Sequence, residues 1–256
     1  MDIGKLFSLA GKTAIVTGAA RTSGLCYGMA VALRDAGAKV VLLDISPEAE
    51  DLAKSLGGGA AGYYSVQADL CDTASREAGF KKALEILGGR LDILVNGAGL
   101  QHREDAIDFP VDKWDLIISV NLNAIFYLSQ LAAKVMKEQG GGKIINIASM
   151  TSFVASRRIP AYAASKGGVM QLTKALSNEW AALGINVNAI APGYMETALT
   201  ANLIHTDHGK AHTARIPAGR WGKPEDLQGA VVFLASAASD YVSGAILPVD
   251  GGYLGA

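Results

Sequence analysis

The chain has 256 residues, half of them apolar and 18% charged, enough to bury one sizeable core in an ordinary globular protein. Its formal net charge of −1 leaves no basic field to hold nucleic acid or an anionic membrane surface. The two cysteines, Cys26 and Cys71, are too few for a disulfide framework and fit a reducing, cytoplasmic setting.

The start, "MDIGKLFSLAGK", carries Asp2 and Lys5 and no long apolar core, so no secretory signal is expected; nor is any uninterrupted apolar run expected to span a bilayer. Strand-like runs follow at 12–17, 39–44, 63–69, 91–96, 142–149, 185–192 and 245–250. Most are apolar on both faces, as strands buried in a parallel sheet should be. Amphipathic stretches at 24–36, 47–56, 73–87, 112–139, 160–183 and 224–237 alternate with them. No linker or internal repeat breaks the alternation. It predicts an α/β fold: one domain over 1–256, a doubly wound parallel sheet of about seven strands with helices on both faces. Residues 194–222 lack a strong period and follow the carboxyl end of a strand, where long loops cover sites, so a lid is expected there.

The stretch "TGAARTSGLCYG" (17–28) follows the first strand and opens a helix, the layout of a dinucleotide cradle. Glycines let the backbone approach a pyrophosphate, and the N–H groups at the helix start bind it. Asp44, at the end of the second strand, is placed to accept hydrogen bonds from ribose hydroxyls; the alternative is an exposed helix-capping aspartate. The most specific constellation is Ser149, then Tyr162 and Lys166 in "AYAASKGG". Tyr and Lys four apart share a helix face, and Ser149 ends a parallel strand at the edge where such sheets place ligands. A phenol can exchange a proton with an alcohol that gains or loses hydride. A nearby ammonium lowers its pKa, and a hydroxyl orients the reacting oxygen.

With these residues the chain resembles the short-chain dehydrogenase/reductase family from about residue 10 to the end. The family's "NNAG" stands here as "NGAG" (96–99), its helix asparagine as Asn121, and its "PGxxxT" as Pro192, Gly193 and Thr197. "GRWGKPEDL" and "VDGGY" are also similar. The resemblance implies catalytic roles for Ser149, Tyr162 and Lys166, with Asn121 holding a proton-relaying water. It implies NAD as cofactor, held by Gly18, Arg21, Ser23, Gly24, Leu25, Asp44, Ile45, Asp69, Leu70, Asn96, Gly97, Ala98, Tyr162, Lys166, Pro192, Gly193, Met195 and Thr197. It also implies a homotetramer and requires no metal. The second half is similar to sugar-acid dehydrogenases of the 2-deoxy-D-gluconate 3-dehydrogenase and gluconate 5-dehydrogenase kind. The expected reaction therefore interconverts a secondary alcohol and a ketone on a sugar acid or polyol. Arg103, Arg158 and Tyr194 are the expected substrate contacts, with Arg158 the first choice for a carboxylate. Arg157 and Arg158 read alternatively as solvated surface charge.

Two departures from the family pattern stand out. The loop "TGxxxGxG" aligns either without a gap, with Thr22 at the middle glycine, or with two extra residues, so that Gly24 is the middle glycine and Cys26 replaces the last. The following helix pattern favours the longer loop. The second departure is Gly97, which loses one family hydrogen bond. His205, His208 and His212 have helical metal-ligand spacing, but Gly209 weakens such a helix, and lid histidines facing substrate or solvent are the preferred reading. Trp114, Trp180 and Trp221 read as core or interface packing. The alternatives to the sugar-acid enzyme are a 3-oxoacyl-carrier or other carbonyl reductase of the same family, and a non-catalytic dinucleotide-binding redox sensor.

Overall fold

The apolar runs form β1 (Thr13–Thr17), β2 (Lys39–Asp44), β3 (Tyr63–Gln67), β4 (Ile93–Asn96), β5 (Gly142–Ile147), β6 (Ile185–Pro192) and β7 (Ile246–Val249). In this computed structural model, which describes residues 2–197 and 200–256, they pair in parallel in the order β3-β2-β1-β4-β5-β6-β7. The helices are α1 (Ile3–Phe7), α2 (Leu25–Asp35), α3 (Glu48–Ser55), α4 (Thr73–Ile86), α5 (Val111–Ile118), α6 (Ala124–Glu138), α7 (Pro160–Trp180), α8 (Ala201–Ile204), α9 (Asp207–Thr213) and α10 (Gln228–Ala235). Alternation along each strand divides the core. Val16, Val40, Leu42 and Val95 pack on Met29 and Leu33 of α2 and Val231 and Leu234 of α10. Ile15, Val41, Leu94 and Ile144 face Phe80 of α4, Leu128 and Met136 of α6, and Leu176 of α7. Each such side chain contributes roughly 1.5–3 kcal/mol by leaving water, which is why strands with two apolar faces settle in the middle of the sandwich.

Three elements at the site end or bend differently from the sequence expectation. β3 and β5 stop two residues early because Asp69 and Ser149 turn the chain with their side chains: the Asp69 carboxylate accepts from Cys71 N–H at 2.8 Å, and Ser149 Oγ accepts from Thr151 N–H at 3.1 Å. The expected single helix at 112–139 is interrupted between α5 and α6 by one π-helical turn, Ser119–Asn123, centred on Asn121. By length and composition the run Val111–Glu138 does suffice to cross a membrane, contrary to the sequence expectation. Its buried polar residues are instead met by protein, Asn121 by Leu100 and Ser165 and Ser129 by Asn96. That is the behaviour of a helix seated on a core.

The expected lid holds α8 and α9; Ala198 and Leu199, within it, lie outside the described residues. Its base is zipped by a bridge between Met195 and Gly222, with Gly222 N–H donating to Tyr194 at 2.9 Å and Glu196 N–H to Gly222 at 2.7 Å. Arg220 grips Asp226 through both carboxylate oxygens at 2.7 and 2.8 Å. That guanidinium and the Lys223 N–H hold the Asp226 carboxyl down at about 2, so the clamp is present at neutral pH and lost only as the pH falls toward that value. Inside, Ile216, Trp221 and Tyr253 pack on Met150, the residue after Ser149.

Candidate active site

β1 and β4 are neighbours whose chains continue toward opposite edges of the sheet, so a crevice opens at their carboxyl ends. Gly18 makes the turn into it at φ +74°, and a Cβ there would stand 2.7 Å from the Ala98 backbone. No other residue fits that position. Gly24 N–H bonds back to Arg21 at 2.9 Å, and Gly24 is the N-cap of α2 with no side chain capping it. Leu25 and Cys26 therefore open the helix, as the longer-loop alignment requires, and the exposed Arg21, Thr22 and Ser23 form the tip. The uncapped N–H groups of an eleven-residue helix, with no acidic residue in its first turn, suit a pyrophosphate.

Asp44 lies at the end of β2 beside this loop. One carboxylate oxygen accepts from Ala20 N–H at 3.0 Å and the other from Ser46 N–H at 3.0 Å. It caps no helix; it braces the cradle and keeps acceptor capacity on both oxygens. Ile45 beside it is exposed, and Asp69 is half-buried. Leu70 is buried in the core, where its side chain cannot meet a ligand.

Asn96 likewise departs from its expected place. Its amide donates to Ser129 Oγ at 3.0 Å and Asn146 Oδ1 at 2.9 Å, and Asn146 in turn donates to Thr173 at 3.0 Å. This buried ladder ties β4 and β5 to α6 and α7, so the Asn96 side chain holds the sheet together and does not reach the cofactor crevice. Thr17, which the sequence reading passed over, holds the end of β4: its hydroxyl accepts from Gly97 N–H at 2.9 Å and Ala98 N–H at 3.1 Å. The two departures from the family pattern meet here. A Cβ on Gly97 would lie 2.2 Å from Cys26 Sγ, so the thiol fills the space a side chain at 97 would need. Pro192 ends β6, and Gly193 N–H donates to Val249 at 3.0 Å; a Cβ on Gly193 would meet Asp250 at 2.7 Å. Met195 is buried in the zipped lid base, and Thr197 is held by Thr200 at 2.9 Å.

Ser149, Tyr162, Lys166 and Asn121 converge. Asn121, fully buried in its π turn, accepts from Leu100 N–H at 2.8 Å and donates to Leu100 O at 2.9 Å and Ser165 Oγ at 3.1 Å. Ser165 Oγ donates within α7 to Tyr162 O at 2.8 Å, so Asn121 joins α7 to Leu100, in the loop after β4. Lys166 Nζ donates to Ile147 O at 2.6 Å and stands 5.7 Å from the Tyr162 ring centroid. Burial pushes the Lys166 ammonium down to about 8. Burial raises the Tyr162 phenol, and the Ser149 hydroxyl beside it partly offsets this. The sequence expectation of a phenol lowered by the ammonium is thus not met in the free protein: desolvation outweighs the Ser149 hydrogen bond. Tyr162 is a protonated donor at neutral pH.

A cavity of about 590 Å³ begins at Met150 and Thr151, immediately beyond Ser149, and is walled by Arg103, Arg157, Arg158, Tyr194, His208, His212, Arg215 and Tyr253. Thr151 Oγ1, buried in that wall, has no hydrogen-bond partner among the described residues. Arg158 corrects the first choice for substrate. Its guanidinium bonds Asp105 at 3.2 Å and Glu104 at 3.5 Å, and its backbone, at φ +65°, accepts from Glu104 N–H at 3.0 Å. The residue is a tie between two loops. Arg103 and Arg215 make no ion pair among the described residues, and Arg215 lies 4.8 Å over the Tyr253 ring. Tyr194 stacks on His212 at 4.3 Å, and burial raises its phenol to about 12. Arg215 and Tyr253 escaped the sequence reading as site residues. Their only signal was position, in "RIPAGRWG" at the end of the lid and "VDGGY" after it. No three His, Cys, Asp or Glu side chains converge among the described residues; His208 and His212 form a pair without His205.

A family profile described as enoyl-(acyl carrier protein) reductase matches residues 18–254. The chain is 49% identical over 250 residues to 2-dehydro-3-deoxy-D-gluconate 5-dehydrogenase of Dickeya dadantii (strain 3937), covering 97% of both proteins. It is 42% identical to 5-keto-D-gluconate 5-reductase of Escherichia coli (strain K12), covering 97% of this chain and 98% of that protein. The crystal structure of a gluconate 5-dehydrogenase from Burkholderia cenocepacia J2315, in complex with NADP and tartrate, superposes with a TM-score of 0.93 at 39% identity and full coverage of both chains. With the Ser149–Tyr162–Lys166 geometry, these likenesses settle the family: the chain belongs to the short-chain dehydrogenases/reductases, as a dinucleotide-dependent oxidoreductase acting on CH–OH groups.

Proposed function

We propose that the protein is an NAD-dependent dehydrogenase that interconverts a secondary alcohol and a ketone on a sugar acid. The observation that carries this is the adjacency of the Ser149–Tyr162–Lys166 centre to a cavity holding Arg103 and Arg215 without carboxylate partners among the described residues. The sugar-acid names of the relatives point the same way. A bound nicotinamide dinucleotide supplies the hydride acceptor or donor. Ser149 Oγ orients the reacting oxygen, and Tyr162 exchanges the proton with it. Lys166, mostly protonated at pH 7, stabilises the phenolate when alcohol is oxidised. Asn121 acts on Tyr162 by fixing α7 through Ser165, and the orphan hydroxyl of Thr151 is placed to bond a substrate hydroxyl. The test is NAD reduction, followed by absorbance, with D-gluconate, its deoxy and keto relatives, and the neutral D-glucitol. Arg103→Ala is expected to raise KM for the acid by about tenfold or more, because a charged hydrogen bond is worth ~1.5–3 kcal/mol. KM for glucitol should move little. Equal use of acid and neutral polyol by wild type and mutant alike would overturn the substrate reading.

The preference for NAD rests on Asp44. A 2′-phosphate about 4 Å from its carboxylate would meet a repulsion of roughly 4 kcal/mol at an effective dielectric near 20, reduced by solvation. Arg21 at the exposed loop tip opposes it, and the Burkholderia relative holds NADP. The braced geometry of Asp44 favours NAD, with kcat/KM expected to exceed that for NADP by tens- to hundreds-fold; equal values would overturn the preference. The two cysteines fit a cytoplasmic setting, and family resemblance supports a homotetramer. Trp114 and Leu116 of α5 and Tyr127 of α6, all exposed, give it apolar surface. Sedimentation equilibrium checks the assembly.

A further inference from the structure

We propose that His208 and His212 form a proton-sharing pair that reads the substrate's carboxylate, so that the acid binds together with one proton. The inference rests on the sugar-acid reading and adds to it a second recognition device, outside the arginines.

The pair is built by α9. Thr206 caps this helix by accepting from Gly209 N–H at 3.1 Å, and the four-residue spacing puts both imidazoles on the face that walls the cavity. Their Nε2 atoms are 2.9 Å apart, with ring centroids at 4.3 Å and planes at 76°. Two ring nitrogens at that distance hold one hydrogen between them. The neutral pair satisfies this, with one Nε2–H donating to a bare Nε2. So does the singly protonated pair, in which an imidazolium donates to a neutral partner and the charge is shared. A second proton would set two N–H groups against each other and break the contact. The pair therefore accepts one positive charge without moving.

Its surroundings decide when that charge arrives. His212 stacks on Tyr194, with Nε2 3.5 Å from the phenol oxygen, and Tyr253 stands behind Tyr194 at 5.5 Å between ring centroids. Arg215, after α9, and Arg103, after β4, add positive charge, and Arg157 and Arg158 line the same cavity. On α9 itself Lys210 pairs with Asp207 at 3.4 Å, and that ion pair is solvent-exposed. Neither imidazole makes an ion pair with a carboxylate among the described residues. Burial, His208 and the two arginines together hold His212 below the usual histidine range. At pH 7 His212 is thus held neutral. A carboxylate entering beside Arg103 and Arg215 offsets their charge and supplies the partner an imidazolium lacks, which raises the pair's affinity for a proton. A group whose pKa rises on binding tightens that binding as the pH falls through the raised value toward the value in the free protein. Between pH 8 and 6, KM for the acid should therefore fall, by up to about tenfold per pH unit for one linked proton. A neutral polyol offers no such charge.

The test is calorimetric titration of D-gluconate and of D-glucitol into the enzyme–NADH complex at pH 7, in two buffers of different ionisation enthalpy, to count protons. Gluconate is expected to bind with uptake of about half to one proton per site, glucitol with none. His208→Gln and His212→Gln should each abolish the uptake and flatten the pH dependence of KM for gluconate. Turnover and binding of gluconate with no proton uptake, or with uptake that survives in both variants, overturns the pair's role and leaves the sugar-acid reading standing. Gluconate and its keto and deoxy relatives failing both to bind and to turn over overturns that reading and this inference together.

Discussion

Tyr162→Phe is expected to lower kcat by at least ~10²-fold in both directions, the low end for a positioned acid or base, while NADH affinity changes little. The ring stays packed and only the hydroxyl is lost, so the effect isolates proton exchange at one oxygen. Burial keeps this phenol protonated in the free protein, and the reduction direction starts from that state. Oxidation requires the phenolate, and Lys166, 5.7 Å from the ring centroid, is the cation nearest in role. Lys166→Met should therefore reduce the oxidative rate and also weaken cofactor binding, as the resemblance to the family implies. Single-turnover measurements in both directions check the first effect, and fluorescence titration of NADH the second. Near-normal turnover by Tyr162→Phe would remove it from the chemistry.

Gly97→Ala is expected to destabilise the protein by ~1–3 kcal/mol, although it adds only one methyl group. The reason lies across the crevice floor: that methyl would arrive 2.2 Å from Cys26 Sγ, with Thr17 O at 3.1 Å and Ile147 Cγ1 at 3.4 Å closing the other sides. Burial pushes the Cys26 thiol up to about 12, so it stays neutral and acts as a small apolar filler. Cys26→Ala alone opens a gap beside Gly97 and should also lower stability. Combining the two lets the new methyl take the sulfur's place, so the double variant should be more stable than the Gly97→Ala single. Thermal melts of the four proteins measure the coupling, about 2–4 °C per kcal/mol for a domain of this size. Additive losses in the double variant would show that the two positions are independent.

The fold was legible because its signals are local. A β-branched run such as "KVVLLD" is apolar on both faces wherever it sits in the sheet, and seven such runs separated by helical periods leave few architectures. Ser149, Tyr162 and Lys166 were legible for the same reason, since a strand end and an i, i+4 pair fix their geometry. What stayed hidden depends on partners distant in sequence. The π turn at Asn121 is held by Leu100, 21 residues earlier, and by Ser165, 44 residues later. Arg158 read as the first choice because it lies close in sequence to Tyr162; only the folded loop after β4 shows that Glu104 and Asp105 both pair with it. Asn96 looked like a cofactor contact, yet Ser129, on a helix, and Asn146, on the next strand, claim its amide. The spacing of His208 and His212 was visible, whereas Tyr194 and the arginines around them meet only when the lid folds back.

The zipped base of the lid has a practical consequence. Met195 and Gly222 bring the two ends of the segment together by backbone hydrogen bonds that read no side chain, and Arg220 with Asp226 locks the exit independently of what lies between. The segment from 200 to 219 is therefore framed by anchors that lie outside it, and is expected to behave as an exchangeable cassette. A relative's segment of equal span can be grafted between the same two anchors without disturbing the sheet, provided it restores the packing of Ile216 and Trp221 on Met150. Substrate range in this scaffold can then diversify by segment replacement while Ser149, one residue from that packing, keeps its place.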